Sequence, residues 1–341
     1  MDRGKQKMRT TIAVDAMGGD KAPQSVIGGA LLAAAQLPVD IILVGDSDAI
    51  YTEISNRGAM PSNVSVVHAN SVITMEDSPA SVLKEKADCS MAVAAELVKE
   101  GKADALVSAG NTGALFTVSS LKIRRLPGIR RAALGAVVPL ENPVLIVDSG
   151  ANTDATPELL RTFAHMGSLY ANLVMGIDIP RVGLVNNGSE STKGTPLYSE
   201  TNALLSKEKE INFIGNVEGR DIPCNTCDVV VCDGFTGNIL LKTIEGMGLF
   251  MKSKLKSIFY ANSMTKVAGA LTKKQISALK KQIDHREHGG APFLGLAKPV
   301  VKAHGSSDEK SIFTAIRQAK TFHESGLVQR LKEAIQNESS N

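Results

Sequence analysis

Apolar and polar positions along the chain alternate in blocks, not residue by residue. Short apolar runs stand at 11–15, 39–44, 64–67, 104–107, 132–138, 144–148, 181–185, 212–214, 228–232 and 299–302. Most are continuous, as strands covered on both faces require. Stretches with helical spacing separate them, at 25–36, 47–55, 91–100, 157–175 and 307–319. Strand and helix in alternation predict an α/β fold with a mostly parallel sheet and helices on both sides. The segment 247–288 departs from this pattern. Its apolar positions Leu255, Ile258 and Phe259, then Val267, Leu271, Leu279 and Ile283, predict two helices with no strand between them.

In such sheets ligands bind beyond the carboxyl ends of the strands. The sequence that follows the strand-like runs reads Asp15-Ala-Met-Gly-Gly-Asp20, Ser108-Ala-Gly-Asn-Thr-Gly113, Asp148-Ser-Gly-Ala-Asn152, Asn186-Asn-Gly-Ser-Glu190, Asp233-Gly-Phe-Thr-Gly-Asn238 and His304-Gly-Ser-Ser-Asp308. Glycine paired with Asp, Asn, Ser or Thr is ordinary turn chemistry once. Six such loops at equivalent positions point to one shared polar site. Two of them repeat a pattern, Gly110-Asn111-Thr112-Gly113 and Gly234-Phe235-Thr236-Gly237. Each follows a strand and opens a helix, where glycines admit a ligand to the backbone and the first N–H groups lack internal partners. That arrangement suits phosphate or a tetrahedral oxyanion.

Composition narrows the field. The chain has 341 residues, 43% hydrophobic and 21% charged, which is ordinary globular usage. It contains no Trp and only 4% aromatic residues, which argues against stacking-based nucleic-acid binding. No apolar run reaches the length of a membrane span, and Asp15 interrupts the short apolar stretch behind the charged start, so no signal peptide is expected. Residues 1–7 read as an extension before Met8. Cys89, Cys224, Cys227 and Cys232 are expected as reduced thiols; Cys224-x-x-Cys227 has half the spacing of a zinc site but no neighbouring His, and no metal is expected. Between Lys252 and His288 eight Lys and one Arg face two acids, a net +7 against +3 for the whole chain. The expected basic helical hairpin is either a solvated or subunit-packing element, or a docking surface for an acidic partner or anionic membrane. The Gly-x-Gly-x-x-Gly, Gly-x-x-x-x-Gly-Lys-Ser/Thr and Gly-x-Ser-x-Gly patterns are absent, which disfavours dinucleotide binding, nucleoside triphosphate hydrolysis and a serine hydrolase. With no marked protein nucleophile, an external one such as phosphate fits.

The segments Val14-Asp-Ala-Met-Gly-Gly-Asp20, Ser108-Ala-Gly-Asn-Thr-Gly-Ala114, Asn212-Phe-Ile-Gly-Asn-Val-Glu218, Asp233-Gly-Phe-Thr-Gly-Asn238 with Leu241-Lys-Thr243, and Gly289-Gly-Ala291 followed by His304-Gly-Ser-Ser-Asp308 resemble the bacterial phosphate acyltransferase family, from Met8 to the C-terminal helix. The resemblance implies a Rossmann-like three-layer α/β sandwich similar to phosphotransacetylases, read here as one catalytic domain over 8–338 with the hairpin 247–288 inserted. It implies transfer of a fatty acyl group from acyl carrier protein to inorganic phosphate, without a cofactor. The acyl phosphate then feeds a membrane acyltransferase in phospholipid synthesis. It further implies a cytoplasmic homodimer associated with the membrane.

It assigns Lys193 to phosphate handling, where its charge offsets phosphate and the leaving thiolate. Asn238 orients phosphate or carbonyl, or serves the helix N-terminus. His304 protonates the thiolate or positions phosphate. Asp15, Gly18, Gly19, Asn111, Thr112, Gly113, Asp233, Gly234, Thr236, Gly237, Gly305 and Ser306 form the expected phosphate and thioester cradle, with capping roles open for Asp15 and Asp233. Lys273, Lys274, Lys280 and Lys281 are the expected docking lysines. Two loops depart from the family pattern: Asn186 to Lys193 has fewer charges before the lysine, and Lys84 to Ser90 is less basic and has Cys89 where Ser is usual. The competing readings are a dehydrogenase on a related fold and a non-catalytic phosphate or acyl-phosphate sensor.

Overall fold

The structure is a computed structural model that describes residues 9–275 and 289–340. Where the sequence reading takes 8–338 as one domain, the chain forms two compact units. The first runs to Ala132 and resumes at Gly289; the second spans Ala133 to His288.

In the first unit, β1 (Thr10–Asp15), β2 (Val39–Gly45), β3 (Val64–His68), β4 (Ala105–Ser108), β10 (Ala291–Leu294) and β11 (Val300–Lys302) lie in the order β3-β2-β1-β4-β11-β10. All pairs are parallel except β10 with β11. Alternate residues of β1 face opposite ways. Ile12 and Val14 join Ile41, Leu43, Val107 and Val301 in a core closed by α1 (Gln24–Gln36) and α9 (Glu309–Glu324). Gly29 of α1 makes that closure possible: a Cβ there would lie 2.5 Å from the Glu309 carbonyl oxygen and 2.6 Å from Ile312 Cβ. The opposite face carries Asp15, which bonds Ser90 at the start of α3 (Ser90–Lys99). The chain leaves β1 toward β2 and β3 on one side and resumes with β4 on the other. The strand order therefore reverses between β1 and β4, where α/β sheets bind ligands.

The second unit orders β5 (Ala133–Val138), β6 (Val144–Val147), β7 (Arg181–Asn186), β8 (Asn212–Glu218) and β9 (Val229–Val231) as β5-β6-β9-β7-β8. β5 runs antiparallel to β6 and the other pairs are parallel. One face buries Ile146, Val217 and Val230 beneath Leu240, Leu241 and Ile244 of α7 (Gly234–Phe259). α5 (Pro157–Leu173) covers the other, and a Cβ on its Gly167 would lie 2.7 Å from Val229 Cγ1. Here the order reverses between β9 and β7.

The helix that opens at the Gly234 turn continues without a break into the segment 247–288. α7 begins at Gly234 and runs unbroken for 26 residues; beyond Gly246, Met247, Leu249, Phe250 and Met251 are exposed. α8 (Ser263–Leu271) follows a capping box between Asn262 and Thr265. No described helix is long and apolar enough to cross a membrane.

Candidate active site

All six polar loops follow strands, as expected, and they fall three to each unit.

In the first unit, the loops after β1, β4 and β11 are stitched together. The Asp15 carboxylate is 1% exposed. It accepts from Ser90 Oγ at 2.6 Å, Ser108 Oγ at 2.7 Å and the Met17 amide at 3.3 Å. Burial raises its pKa against the opposing pull of these bonds. Ser108 Oγ in turn accepts the Gly110 amide at 3.0 Å, so Asp15 shapes the turn through Ser108. Gly18 is required by close approach: a Cβ would stand 2.5 Å from Asp15 Oδ2 and 2.7 Å from the Gly110 nitrogen. The Asp20 amide donates to the Gly305 carbonyl at 2.8 Å, tying the first loop to the last.

Asn111 caps α4 (Thr112–Val118), its Oδ1 accepting the Ala114 amide at 3.1 Å. The cap is neutral, and the amides of Thr112 and Gly113 have no acceptor among the described residues. An anion is the natural partner for such a helix start. The Ser306 amide donates to His304 Nδ1 at 3.2 Å. An amide can only donate, so a neutral His304 ring carries its proton on Nε2 and acts there as a donor.

The second unit's turn after β9 is differently equipped. Asp233, not Asn238, caps α7: its Oδ1 accepts the Thr236 amide at 2.9 Å, and its Oδ2 accepts the Thr236 hydroxyl at 2.7 Å. Tyr198, on α6 (Pro196–Leu205), donates its hydroxyl to the same Oδ2 at 2.5 Å. Burial opposes the Asp233 charge, but the bonds from Tyr198, Thr236 and the Phe235 amide outweigh it and hold the carboxyl below its usual range. Burial, with Asp233 adding to it, pushes the Tyr198 pKa up, so Tyr198 stays a donor.

The Gly234 amide is also spent, on the Asn152 carbonyl at 2.7 Å. The two repeated turns are therefore unlike: one starts with a neutral cap and open amides, the other with its own carboxylate. Asn238 keeps its amide exposed beside Gly150, with no hydrogen-bond partner among the described residues. A Cβ on Gly150 would lie 3.7 Å from Asn238 Oδ1.

Beneath this turn lies Asp148, 0% exposed. Its carboxylate accepts the amides of Leu134, Gly150, Ala151 and Asn152 and the Asn152 Nδ2, at 2.6–3.2 Å. Lys193 sits after β7 in a turn fastened by Asn186 Nδ2 to the Lys193 carbonyl at 2.9 Å. Its ammonium is half-exposed, 3.9 Å from Glu190. Lys273 and Lys274 are exposed; Lys280 and Lys281 lie outside the described residues.

The sequence reading places Ser108, Asp148 and Asn152 in the polar loops without giving them roles, and misses Tyr198. The Thr195-Pro196 start of α6 is a helix signal that leads to Tyr198. The others are buried polar residues at strand ends, indistinguishable in sequence from turn residues. Cys89, Cys227 and Cys232 are buried, and burial pushes each thiol up, Cys227 to about 12, so none is poised as a nucleophile. No group of three or more His, Cys, Asp or Glu gathers as a metal site among the described residues.

The fold is that of phosphotransacetylases. The Streptococcus pyogenes phosphotransacetylase structure matches at a TM-score of 0.63 and 16% identity, covering 93% of this chain and 94% of that one. Sequence then defines an acyltransferase. The chain is 46% identical to a phosphate acyltransferase of Desulfitobacterium hafniense over 95% of its length and 97% of the relative's. It is 44% identical to one of Gloeothece citriformis over 98% and 96%. Residues 10–330 match the family described as Fatty acid synthesis protein. The chain belongs to this family, as a phosphate acyltransferase, an enzyme of lipid synthesis whose chemistry joins acyl transfer to phosphate.

Proposed function

We propose that this enzyme transfers a fatty acyl group from acyl carrier protein to inorganic phosphate, supplying acyl phosphate for acylation of glycerol 3-phosphate. A phosphate oxygen attacks the thioester carbonyl carbon, the C–O bond forms, the C–S bond breaks, and the departing thiolate takes a proton. The observation that carries this reading is the α4 N-terminus. It pairs a neutral cap and two open amides with a histidine whose Nε2 carries a proton, in a protein whose buried thiols are all raised. That is a receptor for an anionic external nucleophile.

In this reading Thr112, Gly113 and Ser306 hold phosphate, and His304 donates to it or to the leaving sulfur. Lys193 and Asn238, in the second unit, keep the roles that the sequence suggests for each: Lys193 offsets phosphate and thiolate charge, and Asn238 orients phosphate or a carbonyl. Incubation with acyl-acyl carrier protein, with and without phosphate, tests the reaction: free thiol and acyl phosphate are expected together. Thiol release independent of phosphate, or none, refutes it.

We further propose that the enzyme works as a homodimer in the cytoplasm, at the membrane face. The exposed apolar residues of α7 and α8 and the surrounding lysines support docking of the acidic carrier protein or an anionic bilayer. Replacing Lys273, Lys274, Lys280 and Lys281 by Glu is expected to weaken carrier-protein or liposome binding in a salt-dependent way. Unchanged binding of both sinks the docking role.

A further inference from the structure

We infer that Asn216 is a further positioning residue of the reaction, a buried amide that holds the turn carrying Lys193. The inference rests on the reading just given, in which Lys193 offsets phosphate and thiolate charge. The phosphate and thioester cradle leaves the motif Asn212-Phe-Ile-Gly-Asn-Val-Glu218 without a role. That motif forms β8, and the strand carries a bulge. Val182 of β7 pairs with Phe213 but Gly183 pairs with Gly215, so Ile214 is an extra residue. Gly215 takes a φ of +96°, which favours glycine. A one-residue shift exchanges the faces of all residues beyond it. The bulge thereby sends Val217 into the core beneath α7 and Asn216 to the opposite face, in register with Leu184.

On that face Asn216, 8% exposed, meets Asn202 of α6, 4% exposed. Asn216 Nδ2 donates to the Glu190 carbonyl at 2.7 Å. A carbonyl can only accept, so the orientation of the amide is fixed, and Asn216 Oδ1 accepts Asn202 Nδ2 at 2.9 Å. The Glu190 carbonyl also accepts the Lys193 amide at 3.1 Å. One acceptor thus joins the buried network to the backbone of the lysine. From the other side, Asn186 Nδ2 donates to the Lys193 carbonyl. The stem is guided as well: a Cβ on Gly188 would stand 3.0 Å from Lys193 Cγ. Backbone and stem of Lys193 are held, while its ammonium stays half-exposed.

A buried amide in a strand is costly unless both its ends are paired, and an apolar residue beside Leu184 avoids that cost. A surface turn does not by itself require such a partner, because water satisfies exposed carbonyls. A lysine that must meet charge at one place does, since displacing a group by about 1 Å costs up to about 100-fold in rate.

Coupling between the two residues tests this. In the wild-type background Asn216→Ala is expected to lower kcat/KM for phosphate about 10-fold or more. In the Lys193→Ala background the same change is expected to matter by no more than about twofold, because the group it positions is gone. A merely structural role gives equal fold-losses in both backgrounds; that result, or no loss in the wild-type background, overturns the inference. If Asn216→Ala folds poorly, Asn216→Asp decides. It keeps the shape and the bond from Asn202, but its carboxylate cannot donate to the Glu190 carbonyl. The same Lys193-dependent loss is expected, and an equal loss in both backgrounds, or none, overturns the inference. Undiminished phosphate-dependent thiol release by Lys193→Ala itself instead defeats the reading of Lys193, and this inference with it.

Discussion

Replacing Gly237 by Ala adds one methyl group at the start of α7. Its Cβ would stand 1.9 Å from the Asp148 carbonyl oxygen and 2.9 Å from Cys232 Sγ, where ordinary contact begins at 3.4 Å. The helix start must therefore retreat by about 1.5 Å, because the carbonyl belongs to a residue whose carboxylate is fixed by five N–H donors. Overpacking of this kind costs about 1–3 kcal/mol, and backbone movement places this case at the upper end. The retreat also lengthens the 2.7 Å bond from the Gly234 amide to the Asn152 carbonyl, worth about 1 kcal/mol.

A loss of about 3–4 kcal/mol lowers the Tm by roughly 8–15 °C for a unit of this size. Gly246 lies on the same helix with nothing within 4 Å of a Cβ. There the same change removes backbone freedom from the unfolded chain and is expected to stabilise by about 0.5–1 kcal/mol. Far-UV circular dichroism melts and urea titrations of both variants measure the contrast. A Gly237→Ala protein melting within about 2 °C of wild type, or both variants shifting the same way, refutes the packing argument.

Asn238→Ala is expected to lower kcat/KM about 10²-fold or more with its Tm unchanged, and undiminished turnover removes Asn238 from the site. His304→Ala is expected to lose about 10²–10⁴ in kcat on an alkyl thioester and much less on an aryl thioester, whose thiolate leaves without help. An equal loss on both excludes the acid role. Tyr198→Phe leaves Asp233 short of a donor; urea titration is expected to show a loss of about 1–3 kcal/mol, and no loss contradicts the assigned bond. Asp15 has a folded pKa raised above 3.8 by burial, so its stability contribution is present below 3.8 and lost as pH rises through the folded value. Asp15→Asn does not titrate, so the stability difference between wild type and variant must move against wild type as pH rises above 3.8; a pH-independent difference refutes the shift.

The strands were legible because both faces of each sheet are covered, which leaves unbroken apolar runs such as Val229-Val230-Val231. β10 was not: Ala291-Pro-Phe-Leu294 is four residues long and contains a proline, a residue that demotes a strand reading. The loops of the site were legible as glycine-rich polar punctuation after strands. Their inequality was not, because Asn111 and Asp233 occupy the same capping position and differ only in charge, whose consequence depends on Tyr198 arriving from α6. Asp148 stands in one of the polar loops, but nothing local announces that Leu134, fourteen positions upstream, donates to it.

The order of strands has a consequence for the birth of the chain. β4 is complete near residue 108, but its neighbour β11 arrives only at Val300, after the whole second unit has been made. At ribosomal speeds of about 5–20 residues per second, the roughly 190 intervening residues take about 10–40 s. For that time the nascent protein carries a half-built sheet with the backbone of β4 unpaired on one side, a template for wrong pairing. Short length is its protection: four residues, Ala105–Ser108, offer a stray strand little to hold.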